Sequence, residues 1–332
     1  LNCAHHALEL MSTEFCLDLA WALLQPEHRS WLSKMRFWIV PILNPDGNDR
    51  YWNSHGNSGR KNGRDTLPGQ ENLAEGVDLN RNYPFGWSTV PDGSSGDPLH
   101  AWYRGPAPAS EPEVRAVMNL AEQERFVLSL SFHTVSTAIL VPYTIPGIGQ
   151  PEPDIPMHFA QVLANSCETT RPDKPKYIVK RRIYAVDGTD QDWLYFTHGT
   201  IALLVEGAFH NPDYAIARRS VQAFREGFFS LLSEWEKSPR LEVRLVDQET
   251  GLPRGGVEVE LDDISRPNGE SRSTDPRFGI RRFTLLEPGT VRVRVTLPSG
   301  TGGASSWQRV VPVQVLPGPN RVEIRVPAKE GS

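Results

Sequence analysis

The spacing of apolar residues changes character once along this chain, near residue 237, and the change separates two kinds of structure. Upstream, Leu8, Met11, Phe15 and Leu19 recur at helical intervals and predict a helix over 8–24. The run MRFWIVPIL over 35–43 reads as a buried strand, closed by the turn residues Asn44, Pro45, Asp46 and Gly47. Residues 48–109 are rich in Gly, Asn, Pro and Ser and weakly periodic; a stretch this long without elements inside a compact domain reads as a functional loop region. Ser110 followed by Glu113 has the form of a capping box and opens a helix to about Arg125. Buried strands are predicted over 126–133, 139–143 and 200–206, and helices over 156–170 and 213–236. The last of these carries Val221, Phe224, Phe228 and Leu231 on one face. Strands alternating with helices predict an α/β fold with a mixed, largely parallel central sheet flanked by helices.

Downstream the period is two. Leu241, Val243 and Leu245, then Val257, Val259 and Leu261, and similar runs near 291–295, 311–315 and 322–326 are separated by Gly, Pro, Asn and Asp. About seven short strands of this kind predict a small C-terminal β-sandwich. The expected division is therefore 1–237 and 238–332.

Composition narrows the classes. The chain has 332 residues, 39% hydrophobic and 23% charged, enough for one large core and a smaller one, with no sign of wholesale disorder. A net charge of -5 and the lack of a basic stripe speak against a nucleic-acid partner. The pairs Arg181-Arg182, Arg218-Arg219 and Arg281-Arg282 are too short for one and read as solvated faces. No apolar run is long enough for a membrane span. Cys3, Cys16 and Cys167 make no disulfide framework; one bridge and three buried thiols are both open.

The chemistry starts with His6 and Glu9. Three residues apart at a helix start, their side chains reach one cation, and imidazole with carboxylate suits zinc. His133 ends an apolar strand, where a histidine needs a polar partner or a metal. Glu206 ends another, where a carboxylate is costly unless it is paired or used. Ligands of open α/β sheets gather at such strand ends. Arg60 and Lys61, and the segment from Asp78 through Asn80, Arg81 and Tyr83, add forked cations suited to carboxylates and oxyanions.

With those residues in place, the sequence resembles the zinc carboxypeptidases of the carboxypeptidase A type. The resemblance is carried, in the family's order, by HHALE, NPDG, RKN, GVDLNRNYPFGW, YRGPAPASEPE, SFHT, IYAVDGTDQDW and LLVEG, over residues 1 to about 236. The 123 residues between Glu9 and His133 are close to the family spacing. The resemblance implies that His6, Glu9 and His133 hold one Zn2+ and that Asp78 orients the first histidine. It implies that Glu206 is the general base and that Arg60 stabilises the oxyanion. Asn80 and Arg81 then grip the terminal carboxylate of a peptide substrate, Tyr184 closes over it, and Gln191 occupies the position that sets side-chain preference.

Four features depart from the family pattern. Leu8 stands where an arginine is usual, and Thr134-Val135 where Ser-Tyr is usual; both affect recognition upstream of the cut. Gln191 points to neither apolar nor basic C-terminal residues, while Asp187 and Asp190 would favour basic ones and Arg181 and Arg182 acidic ones. Only five residues precede His6, so an N-terminal region with edge strands is expected to be missing from this sequence, together with any secretion signal. The C-terminal part resembles transthyretin-like modules by position and strand pattern alone, and is expected to pack on the catalytic part or bind a partner. The reading is a metallocarboxypeptidase, secreted or periplasmic. The alternatives are an inactive peptide-binding relative, or a zinc amidohydrolase acting on cell-wall peptides or N-acylated amino acids.

Overall fold

The computed structural model describes residues 1–53, 59–69, 74–134, 136–171, 173–208, 211–270, 272–297 and 307–328. Its centre is a five-stranded mixed sheet of β1 (Asn2–Cys3), β2 (Leu128–His133), β3 (Ala138–Leu140), β4 (Ile178–Lys180) and β5 (Ile201–Glu206), in the order β1-β2-β5-β3-β4. Every pairing is parallel except β3 with β5.

The strands sort their side chains by alternation. Leu130 and Phe132 of β2 and Ile201, Leu203 and Val205 of β5 join a core with α1 (Leu10–Leu24), α5 (Ile155–Ser166) and α7 (Tyr214–Lys237). On α7 the expected stripe of Val221, Phe224, Phe228 and Leu231 is buried there. The opposite face of β5 meets a second cluster, in which Leu79, Tyr83 and Ala202 pack with α4 (Pro112–Glu124) and α6 (Asp190–His198). His133 and Glu206 lie on that second face, because each is an even number of residues from the polar-side positions Ser131 and Ala202.

Several local expectations are corrected. The 35–43 run is no buried strand. Only Val40 bridges Asn2, the neighbouring side chains alternate between half-buried and exposed, and Pro41 offers no N–H to a ladder. The supposed turn at its end starts a helix, α3 (Pro45–Asn53), so the region from 48 is not loop throughout. Asn44 Oδ1 accepts the Gly47 N–H at 2.8 Å, with Pro45 in the first helical position. The capping box at Ser110 does not form: α4 begins one residue later than that reading needs. Ser110 Oγ donates to Glu111 instead, and Glu113 accepts from Asn62. Between α1 and α3 a short helix, α2 (Trp31–Lys34), had no sequence signal.

From Arg240 onward six described strands form two three-stranded sheets, one fewer strand than expected. These are β6 (Arg240–Asp247), β7 (Glu258–Leu261), β8 (Ile280–Thr284), β9 (Gly289–Thr296), β10 (Gln308–Val315) and β11 (Pro319–Val326), ordered β10-β9-β7 and β11-β6-β8. They are antiparallel except for β11 with β6, and their alternating apolar residues share one core. Of the arginine pairs, Arg218, Arg219, Arg182 and Arg282 are exposed as expected; Arg181 is half-buried, and Arg281 is buried. It shares the inner face of β8 with Phe283 and is only 6% accessible.

Candidate active site

The first candidate residues sit in a turn, not in the helix that was expected to hold them. The Glu9 N–H donates to the His6 carbonyl at 3.0 Å, and α1 starts only at Leu10. A tight turn brings residues i and i+3 together as a helical turn does, so the side chains still converge. The turn is braced from both ends. Cys3 and Cys16 form a disulfide that ties β1 to α1, with Cα atoms 6.4 Å apart, while Cys167 stays a buried free thiol. Ser12 Oγ donates to the Glu9 carbonyl and accepts from the Ala4 N–H.

His6 Nδ1 lies 2.9 Å from Glu9 Oε1, and His133 Nδ1 lies 3.0 Å from Glu9 Oε2. One ligand atom from each of the three residues falls within 4.8 Å of the others, and all three are buried. His6 Nε2 is 3.0 Å from Asp78 Oδ1. With an ion bound, Asp78 would accept the hydrogen bond from Nε2–H and leave the Nδ1 lone pair for the metal, the tautomer a ligand requires. Two imidazole nitrogens and a carboxylate are a donor set that suits a zinc-sized ion and leaves coordination positions over for water or substrate. Without such an ion, His6 and His133 outweigh the burial that would raise Glu9 and hold its carboxyl below the usual range.

Glu206 reaches this centre through register. β2 and β5 are parallel neighbours in which His133 is directly opposite Glu206, both at carboxyl ends. Glu206 Oε2 is buried and has no hydrogen-bond partner among the described residues. Burial, then the nearby Glu9 carboxylate, push Glu206 well above the usual carboxylate range, against the pull of Arg60 and Arg81. Arg60 donates twice to Asp78 Oδ2, at 2.7 and 3.1 Å. Burial would raise Asp78, but Arg60, then His6 and Arg81, hold it well below its usual range.

Arg81 is buried, and its hydrogen bonds go to neutral acceptors: Gly93 O at 3.1 Å, Asn80 O at 2.7 Å and the Tyr184 hydroxyl at 3.5 Å. Asn80 Oδ1 accepts from the Asp190 N–H at 2.9 Å, and its Nδ2 is 3.4 Å from His133 Nε2. Tyr184, 43% accessible, stacks on Trp102 with ring centroids 5.5 Å apart. Trp102 was not singled out in the sequence, where an aromatic in a Gly/Pro-rich stretch carries no signal of its own.

One cavity of about 40 Å³ is lined by His6, Glu9, Arg60, Asn80, Arg81, His133, Tyr184, Gln191 and Glu206. Of the ten residues singled out, only Asp78 lies behind the wall. Gln191 is buried with both amide atoms unpartnered, and Thr189 Oγ1 beside it is unpartnered too. Leu140, Ile183, Val186 and Leu204 supply apolar wall, and Arg182 a cation. Asp187 and Asp190 are absent from the lining. Asp187 accepts from Val90 N and Ser94 Oγ, and Asp190 from Asn2 Nδ2. Arg181 is likewise spent on Asp154 and the Pro142 carbonyl. Three of the four charges considered for side-chain selection are thus structural. Leu8 is half-buried at the turn and its carbonyl accepts from Asn211; Thr134 N donates to Glu9, and Val135 lies outside the described residues.

Comparison with known proteins identifies the family and the fold. A profile described as zinc carboxypeptidase matches residues 1–223. Mast cell carboxypeptidase A of Homo sapiens is 29% identical over 204 residues, 58% of this chain and 47% of its own length. Carboxypeptidase A6 of Homo sapiens is 30% identical over 212 residues, 59% of this chain and 45% of its own. The chain thus spans about half the length of the curated relatives it matches. Among solved structures, bovine thrombin-activatable fibrinolysis inhibitor, in complex with tick carboxypeptidase inhibitor, superposes with a TM-score of 0.58 at 22% identity. That match covers 70% of this chain and 80% of the other, and bears on the fold.

Proposed function

The chain belongs to the zinc carboxypeptidase family, and from that premise we propose that it removes the C-terminal residue of peptides, with His6, Glu9 and His133 holding one Zn2+. The observation that carries the reading is the convergence of both histidine Nδ1 atoms on the Glu9 carboxylate, in one cavity with the unpartnered Glu206 Oε2 and Arg81. Bound there, Zn2+ supplies Lewis-acid polarisation of a carbonyl and acidifies water.

The chain's own residues do the rest. Glu206 Oε2 takes the proton of the attacking water and passes it to the leaving amine. Arg60, held flat by Asp78, faces the oxygen on which negative charge develops. Arg81 receives the substrate carboxylate as the bidentate partner its neutral acceptors do not provide, with the Asn80 amide alongside. A chain-internal peptide bond offers no such charge, which makes the enzyme an exopeptidase. Tyr184, already within reach of Arg81, closes over the bound terminus.

For the departing side chain, the unpartnered amide of Gln191 and hydroxyl of Thr189 favour groups that hydrogen-bond, and Arg182 favours acceptors. C-terminal Gln or Glu is therefore preferred over Lys, since among the described residues no carboxylate lines the cavity beyond Glu9 and Glu206. The Cys3–Cys16 bridge supports an oxidising compartment, secreted or periplasmic. No helix of the described residues is long and apolar enough to cross a membrane. The change of core at Lys237 supports two domains, 1–237 and 238–332, the second transthyretin-like.

The test is hydrolysis of N-blocked dipeptides ending in apolar, basic, acidic and amide residues, with and without a zinc chelator, beside N-acylated amino acids. Chelator-sensitive release from free C-termini, fastest for Gln and Glu, is expected. Protein that binds zinc one-to-one and releases nothing would instead be a binding relative; turnover confined to N-acylated amino acids would make it an amidase.

A further inference from the structure

The sequence's arginine pairs were expected in solvent, and the buried one opens a second site. Where α6 ends, at the junction of the central sheet system with the β-sheets, lies a partly enclosed cavity of about 60 Å³. Its polar lining is almost wholly basic: Arg125, His198, Arg266, Arg272 and Arg281, with Phe283 as floor. Gly199, the left-handed residue that caps α6 at φ +68°, makes the approach possible. A Cβ there would fall 2.5 Å from Arg281 Nη2 and 3.1 Å from Arg272 Nε.

Among the described residues the charges do not balance. Arg125 pairs with Glu122, Arg266 lies 3.3 Å from Glu260, and Arg272 donates to the Phe196 carbonyl. Glu122 and Glu260 sit on the rim, their side chains 52% and 36% accessible. Glu270 is engaged by Tyr143 and Asn268. Arg281 is left. It is 6% accessible, its Nε has no partner, and among the described residues no carboxylate approaches it. The groups that act on it most strongly after burial are Arg272, Arg266 and Arg125. His198, 5% accessible, has neither ring nitrogen hydrogen-bonded; Glu122 comes no closer than 3.9 Å.

A guanidinium cannot escape burial by losing its proton, so an uncompensated one beside two others is strongly unfavourable. The arrangement supplies what an anion needs: forked donors from one side and an imidazole N–H from the other, in a space too small for a nucleotide. We propose that this cavity binds a single tetrahedral oxyanion, phosphate or sulfate, held by Arg281, Arg272 and Arg266 from the β-sheets and His198 from α6, and that the anion fastens the two parts of the molecule together.

The experiment is thermal unfolding of the full chain at fixed ionic strength, titrated with inorganic phosphate, sulfate or chloride, for wild type, Arg281→Met and Arg81→Ala. Phosphate and sulfate are expected to raise the wild-type Tm saturably by at least about 2 °C, and chloride to do nothing. Arg81→Ala should keep the response, which separates it from anion binding in the substrate cavity. Arg281→Met should lose it, and without oxyanion should melt no lower than wild type, since it removes a buried unpaired charge. If Arg281→Met does not fold, Arg266→Gln takes its place, with calorimetric titration of phosphate into dialysed Arg81→Ala protein, expected to give one site per chain. An equal response to chloride, a response that survives at position 281, or no calorimetric binding would each overturn the proposal.

Discussion

A single buried atom, Glu206 Oε2, carries the sharpest expectation of the chemistry. It has no partner, yet it stands beside three metal-suited ligands. Glu206→Gln preserves shape and removes the proton acceptor, so zinc content should stay at one per chain while kcat falls by about 10³-fold or more. Comparable turnover in both proteins would remove Glu206 as the base. Asp192 gives a second residue-level expectation, this time for stability. Both its oxygens accept from Thr144 N, yet burial outweighs these bonds and pushes the carboxyl up to about 7. With an unfolded value near 3.8, the folded state holds the proton more tightly. The contribution is therefore fully present below about pH 4 and is lost as pH rises towards 7. Asp192→Asn, which cannot ionise, should show a smaller loss of stability between pH 5 and 8 than wild type in urea melts. Parallel pH profiles would mean the carboxyl is not buried in its acid form. The residues legible from sequence alone were those whose burial is anomalous: His133 and Glu206 stand out because each ends an apolar strand. Asn80 and Arg81 stood out only as part of a polar, cationic segment, and their roles, like Tyr184 and Gln191 altogether, came from the family motifs.

At the scale of elements, strands and long helices were legible because their apolar residues keep period. The misreadings fell where polar residues do structural work. Asn44 and Pro45 look like a turn but start α3, and α6 escaped notice because its buried face includes Asp190, Gln191 and Asp192. α6 nonetheless shapes the proposed substrate cavity, and Gly188 fixes where it begins. At φ +64°, a Cβ on Gly188 would lie 2.4 Å from the Arg81 carbonyl oxygen. Gly188 O accepts from the Tyr83 N–H at 3.0 Å, which locks the α6 approach to the segment carrying Arg81. Gly188→Ala is strained by both conformation and contact, so it should destabilise by roughly 1–3 kcal/mol. It should also raise KM more than it lowers kcat, because Gln191 and Arg81 shift relative to each other while the ligands on β2 and the His6–Glu9 turn do not. A loss confined to kcat, with KM unchanged, would contradict this linkage.

At the scale of the whole molecule, the change of apolar period near 237 announced two cores, but nothing in it announced how they meet. The junction mixes apolar contacts, with Ile264 and Leu286 packed against the first core, and polar ones. Tyr143 OH donates to Glu270 Oε1 at 2.7 Å, Asn268 Nδ2 to Gly149 O at 2.8 Å, and Ser265 N to Glu152 O at 2.8 Å. The Tyr143 bond is fully buried on the tyrosine side and charge-assisted, so it is the strongest of these candidates for coupling the two cores. Tyr143→Phe leaves Glu270 with only Asn268 and should cost about 1.5–3 kcal/mol. Glu270→Gln should cost less, since its amide oxygen still accepts. If the bond transmits stability between the parts, the double variant will be less destabilised than the sum of the singles, with a coupling of about 1 kcal/mol or more. The same coupling makes wild type unfold in one calorimetric transition, and in Tyr143→Phe that transition should broaden towards two. Additive losses with an unbroken single transition would mean that the cores are joined elsewhere, through the Asn268 and Ser265 bonds or the basic cavity at Gly199.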